Sequence, residues 1–139
     1  MKFPDIGGTV TPEYGLDLCR HFGLLHLVER LEAHPERYKS FVFDGCSCLP
    51  DELIGLIMGC DWKDITYKCC LPHDLRYAYG EPGNYEEKAK TDDDFRADLI
   101  SNAGMAEWMA AAFHAAVVVG GAEALGLSFS WAFARREKP

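Results

Sequence analysis

The chain has 139 residues, about half of them apolar and 26% charged, which suits one globular domain built around a single core. A formal net charge of -8 argues against a nucleic-acid partner, which needs a basic face to displace counterions, and against simple electrostatic attraction to an anionic membrane. Six cysteines are many for this length but fall short of the density of a disulfide miniprotein.

Residues 1–13 hold Gly7, Gly8 and two prolines and read as a loop. They contain no apolar run of the signal-peptide kind, whereas the clustered cysteines favour an oxidising compartment and a secreted or exported protein. From Leu16 to Ala33, the apolar residues Leu18, Phe22, Leu25, Val28 and Leu31 recur at spacings of three and four. That spacing predicts one amphipathic helix, ended by His34-Pro35. "SFVFDGCSCLPDE" reads as extended chain entering a loop, and "PDELIGLIMGC" as a short helix between Pro50 and Gly59.

A helix is expected from Lys63 to Tyr79, with Ile65, Cys69, Leu71, Leu75 and Tyr79 on its apolar positions and Pro72 inside it. "GEPGNYEEKAK" reads as a loop. Thr91 and Asp94 resemble a capping box opening a helix through Phe95, Leu99 and Ile100. An alanine-rich helix follows from Met105 to Val119, cut by Gly120-Gly121 and carrying His114, so a buried helix is expected there and no transmembrane span. Trp62, Trp108 and Trp131 are expected in the core, and His21, His26, His34 and His114 as ordinary surface or core residues. The predicted architecture is a small all-α domain.

Residues 69–74, "CCLPHD", set two thiols, an imidazole and a carboxylate side by side. Zinc is a poor fit, because "CSC" and "CC" lack the Cys-x2-Cys spacing that lets two thiolates meet one tetrahedral ion. No Cys-x-x-Cys redox motif is present. A hydrolase acting through water needs a base, a carboxylate to orient it and something to stabilise the oxyanion. His73 is the candidate base. Neighbours on a helix point about 100° apart, so Asp74 cannot orient His73 and is placed to serve another loop. With the Asp44 carboxylate and the Gly45 carbonyl it offers the oxygen ligands that calcium takes. The carboxylate that orients His73 then comes from a second helix, where "KTDDDFRADL" offers Asp92, Asp93 and Asp94.

"CLPHDLRY", with a tyrosine four residues after the histidine, resembles the catalytic helix of phospholipase A2 enzymes. "FVFDGCSCLPD" is similar to the calcium-loop region of the prokaryotic and fungal branch, "DDDFRADL" to its Asp-x-x-Phe-x-x-Asp-Leu helix, and "AAFHAAVVVGG" to its closing segment. The four motifs stand in the family's order and cover residues 41–121, which leaves residues 1–40 as an N-terminal helical extension and 122–139 as a tail.

The resemblance implies two antiparallel core helices carrying a His-Asp dyad, with His73 activating water, Asp92 orienting it and Tyr77 in the same network. It implies a calcium ion held by Asp44, Gly45 and Asp74, and a Cys46–Cys70 disulfide that pins the calcium loop. Cys19, Cys48, Cys60 and Cys69 have no assigned partners. The expected function is calcium-dependent release of a fatty acid from glycerophospholipids at an aggregate or membrane surface. A scaffold of the same kind that binds lipid or protein without turnover is the alternative.

Overall fold

The computed structural model describes residues 1–45 and 59–120. The protein is mostly helical, as expected, but residues 1–13 are not all loop. Gly8–Val10 forms a strand, β1, antiparallel to β2 (Phe41–Phe43), with Thr9 opposite Val42. Alternation explains the pair: Val10 and Phe43 point into the core while Thr9 and Val42 face out.

The predicted helix of residues 16–33 is two helices. The first, α1 (Pro12–His21), starts earlier because Thr11 caps it, its side chain accepting from the Tyr14 N–H at 3.1 Å with Pro12 in the first turn. It stops because Gly23 adopts φ +70°, a left-handed conformation cheap only for glycine. The Leu24 N–H then bonds the Cys19 carbonyl and the Gly23 N–H the Arg20 carbonyl, which closes a Schellman motif. The break resets the helical phase for α2 (Leu25–Ala33), so Leu27, Val28 and Leu31 turn inward and Leu25, predicted to be buried, is 68% exposed. His34 ends α2 before a short turn of 3-10 helix, Pro35–Arg37.

The helix expected across Pro72 is present as three consecutive segments: α3 (Trp62–Ile65), a π-helical turn (Thr66–Cys70) and α4 (Leu71–Ala78). Proline lacks an N–H and its ring collides with the carbonyl four residues back in a regular helix. Here the Leu71 N–H reaches back to the Thr66 carbonyl, and the widened turn lets Pro72 sit in the first turn of α4, where no N–H is needed. The predicted short helix of residues 50–59 lies almost wholly outside the described residues.

"GEPGNYEEKAK" is a loop only as far as Asn84. The Asn84 side chain accepts from the Glu87 N–H at 3.0 Å and opens α5 (Tyr85–Ala103) six residues before Thr91, so Thr91 is a buried residue within the helix and not its cap. The last helix, α6 (Glu107–Gly120), packs along α5. No helix among the described residues is long and apolar enough to cross a membrane.

The helix α4 lies between two apolar clusters. Leu71, Leu75 and Tyr79 join Val10, Leu18, Leu27, Leu31 and Phe43 on one side, so residues 1–40 share a core with α4. Ile65, Cys69, Phe95, Leu99 and Ala110 form the other cluster. Each fully buried leucine contributes about 1.5–3 kcal/mol of transfer free energy. Contrary to the sequence expectation, Trp108 is 72% exposed on α6; Trp131 lies outside the described residues.

Gly15 on α1 is needed for its size. A methyl group there would land on the Tyr79 hydroxyl, and Tyr79 is fully buried against Tyr38 and Phe41. Gly15→Ala is expected to cost about 1–3 kcal/mol in urea denaturation, the usual penalty of overpacking. Tyr79→Phe in the same chain should return part of that loss; full wild-type stability in Gly15→Ala alone would show that the contact gives way.

Candidate active site

Residues on α4 and α5 meet in reverse order. His73 touches Phe95 and Tyr77 bonds Asp92, so the two helices run antiparallel through the short turn of residues 79–84. Arg30 of α2 braces that turn: it donates to the Tyr79 carbonyl at 3.2 Å, pairs with both carboxylate oxygens of Glu87 and lies 3.6 Å from Glu81.

His73 and Tyr77 are four residues apart and share one face of α4. That face meets Asp92, which with Phe95 and Leu99 forms the buried stripe of α5. His73 Nε2 lies 3.0 Å from Asp92 Oδ1, and the Tyr77 hydroxyl donates to the same oxygen at 2.6 Å. The other oxygen, Oδ2, accepts from Lys88 Nζ at 2.8 Å, one helical turn earlier. A carboxylate only accepts, so Nε2 carries the hydrogen and the neutral ring keeps its lone pair on Nδ1. The ring is fixed between Tyr77 and Phe95, with centroids at 4.4 and 4.6 Å.

The three aspartates offered by the sequence separate cleanly. Asp92 is fully buried and meets His73; Asp93 meets His114 Nε2 of α6 at 3.0 Å; Asp94 pairs with Lys90 at 2.9 Å. Because α5 begins at Tyr85, these residues lie in mid-helix, where no macrodipole favours a carboxylate. The hydrogen bond of His114 to Asp93 went unread in the sequence, although His114 lies on the helix that packs on α5. Lys88 was also missed. Its signal was its spacing, four residues before Asp92 on one helix face.

Burial drives the His73 pKa below its ordinary value of 6.5; the bond to Asp92 opposes the shift, while Arg76 and Lys88 add to it. Burial alone would raise the pKa of Asp92, yet the bonds from His73, Lys88 and Tyr77 outweigh it and hold the carboxyl below 3.8. The Tyr77 hydroxyl is pushed strongly upward by burial and by the adjacent carboxylate, so it stays a donor. As pH falls below 6.5 the unfolded chain protonates its histidine before the folded one does, so stability declines until the folded His73 has titrated. Asp92 acts in the same direction at lower pH: its contribution, complete above 3.8, is lost as pH falls through its folded value. Urea midpoints from pH 7 to 3 should therefore fall in two steps, and His73→Gln should shrink the upper one to the part that His26, also lowered by burial, contributes.

The proposed calcium ligands lie on two elements that touch. Asp44 and Gly45 follow β2, which packs on α4, and Asp74 sits half-buried on α4 beside His73. Gly45 adopts φ +72° as the chain leaves the strand. Two carboxylates and a backbone carbonyl form an all-oxygen donor set, which fits calcium in kind. Among the described residues no group of three or more His, Cys, Asp or Glu side chains is arranged to hold a metal, and the rest of this loop lies outside them. Burial pushes the Cys19 and Cys69 thiols up to about 12, which makes both poor thiolate ligands. Cys70 is disulfide-bonded; of the expected pair Cys46–Cys70, Cys46 lies outside the described residues.

A cavity of about 290 Å³ opens between α5 and α6, walled by Tyr85, Ala89, His114 and Val118, with Lys88 and Asp92 reaching it. No family model, curated protein or solved structure matches the chain.

Proposed function

We propose that the protein is a calcium-dependent, phospholipase A2-like hydrolase that releases a fatty acid from glycerophospholipids. One observation carries the reading: a neutral imidazole, buried between two helices, hydrogen-bonds through Nε2 to an ionised carboxylate that a tyrosine also fixes. The order of "FVFDGCSCLPD", "CLPHDLRY", "DDDFRADL" and "AAFHAAVVVGG" supports the same family reading.

In this reading His73 takes a proton from water through Nδ1, and the oxygen attacks the ester carbonyl carbon. Asp92 stabilises the imidazolium that forms, and Tyr77 keeps the carboxylate turned toward it. The imidazolium returns its proton to the leaving alkoxide, giving a lysophospholipid and a free fatty acid. Asp44, Gly45 and Asp74 would hold calcium, which supplies Lewis-acid polarisation of the ester carbonyl. A disulfide between Cys46 and Cys70 would tie that loop to α4.

The test is fatty-acid release from mixed phospholipid micelles, first with calcium and then with chelator. Release that needs calcium supports the hydrolase. Binding to the micelles without release would replace it with the non-catalytic lipid-binding alternative.

A further inference from the structure

The cavity between α5 and α6 is lined by neither His73 nor Tyr77, and the reaction proposed above makes no use of it. Its walls follow from helical spacing. Tyr85, Ala89 and Asp93 stand four residues apart on one face of α5, opposite His114 and Val118, four apart on α6. Ala89 is the smallest of the five side chains, and its methyl leaves the room that its larger neighbours enclose. At about 290 Å³ the space lies at the lower end of small-molecule sites, so it suits a compact group and not a long chain.

Charge selects what would enter. With histidine counted as neutral, two carboxylates, Asp92 and Asp93, stand against one ammonium, Lys88, and the lining is net negative. Lys88 already donates to Asp92 Oδ2 at 2.8 Å and to the Val118 carbonyl at 3.2 Å, which leaves it one N–H for an anion. Asp93 Oδ1 meets His114 at 3.0 Å, but Oδ2 has no partner among the described residues and the side chain is 72% exposed. A cation is therefore favoured over an anion. A primary ammonium brings three N–H groups that all need acceptors, whereas a fully methylated one brings none. Its methyl groups match the apolar surface of Ala89 and Val118, and its charge matches the face of the exposed Tyr85 ring.

We propose that this cavity binds a trimethylammonium group, carried by a free cation such as choline or by a choline lipid headgroup. The charge sits toward Asp93, with the methyl groups against Ala89, Val118 and the Tyr85 ring. The site stands on the cavity alone and holds whether or not the protein hydrolyses lipid.

The experiment is a choline titration of the full chain, read by NMR at the Val118 methyl groups, with chelator present so that no calcium-dependent turnover intervenes. Wild type should shift saturably. Asp93→Asn and Tyr85→Leu should each weaken binding by about twofold to fivefold, the scale of one exposed carboxylate and of one exposed cation–π contact. Ala89→Leu fills the space and should abolish binding. All three positions are exposed, so the variants should fold, which circular dichroism checks. The carbon analogue of choline, with a tert-butyl group in place of the trimethylammonium, should bind more weakly because it lacks the charge. Equal binding of that analogue, equal binding by Ala89→Leu and wild type, or no saturable shift overturns the proposal. Should Ala89→Leu fail to fold, the comparison of choline with its carbon analogue on wild type still decides. Monomeric dihexanoylphosphatidylcholine separates the two carriers. Displacement of choline by it places the group on a lipid headgroup, and choline binding that it leaves untouched places the group on a free cation; both uphold the site.

Discussion

His73→Ala should lower calcium-dependent fatty-acid release by roughly 10²- to 10⁴-fold, the range that general-base catalysis supplies. The imidazole is the sole group bonded to Asp92 that can accept a proton near neutral pH, since the Tyr77 hydroxyl is held protonated by burial and Lys88 is a cation. The ring is 2% exposed, so truncation also opens a void between Tyr77 and Phe95. His73→Gln separates the two effects, because it fills much of the same space without titrating. Circular dichroism should show both variants folded. Release at the wild-type rate by either would end the hydrolase reading.

Asp92→Ala should have the largest effect on stability, about 3–5 kcal/mol by urea denaturation. One fully buried carboxylate accepts from His73, Tyr77 and Lys88 together, and its removal takes that acceptor from a buried imidazole and a buried phenol while freeing an ammonium. A buried donor that loses its acceptor costs about 1–3 kcal/mol, whereas Lys88, at the cavity edge, recovers some hydration. Against a typical total of about 5–15 kcal/mol, the loss leaves the fold marginal near body temperature. Asp92→Asn keeps an acceptor oxygen for Tyr77 and gives up the charge, so it should lose activity out of proportion to stability. A loss below about 1 kcal/mol for the alanine variant would mean that the network is decorative.

Much of the site was legible because it is local. His73, Asp74 and Tyr77 sit within five residues of one helix, and their directions follow from 100° per residue without any knowledge of the fold. The apolar positions Ile65, Cys69, Leu71, Leu75 and Tyr79 were also readable, and all of them are buried. The N-terminal part was harder. The apolar spacing of residues 16–33 runs straight across Gly23, and only the capping bonds to the carbonyls of Cys19 and Arg20 reveal the break. Strand β1 was hidden because three residues carry too little periodicity; its partner lies more than thirty positions away.

Side-chain spacing and backbone preference act over a few residues, so they were enough to give a mostly helical chain and to set His73 on an amphipathic helix. They narrowed the carboxylate partner of His73 to a run of three aspartates. Only the tertiary structure chose among them, since the choice depends on where α5 begins and which face it turns to α4. Asn84, not Thr91, sets that start, and Asp92 alone then points inward. The bond from Lys88 to the Val118 carbonyl of α6 belongs wholly to tertiary structure, because Val118 lies thirty residues from Lys88 and is recognised by a backbone oxygen that every residue possesses.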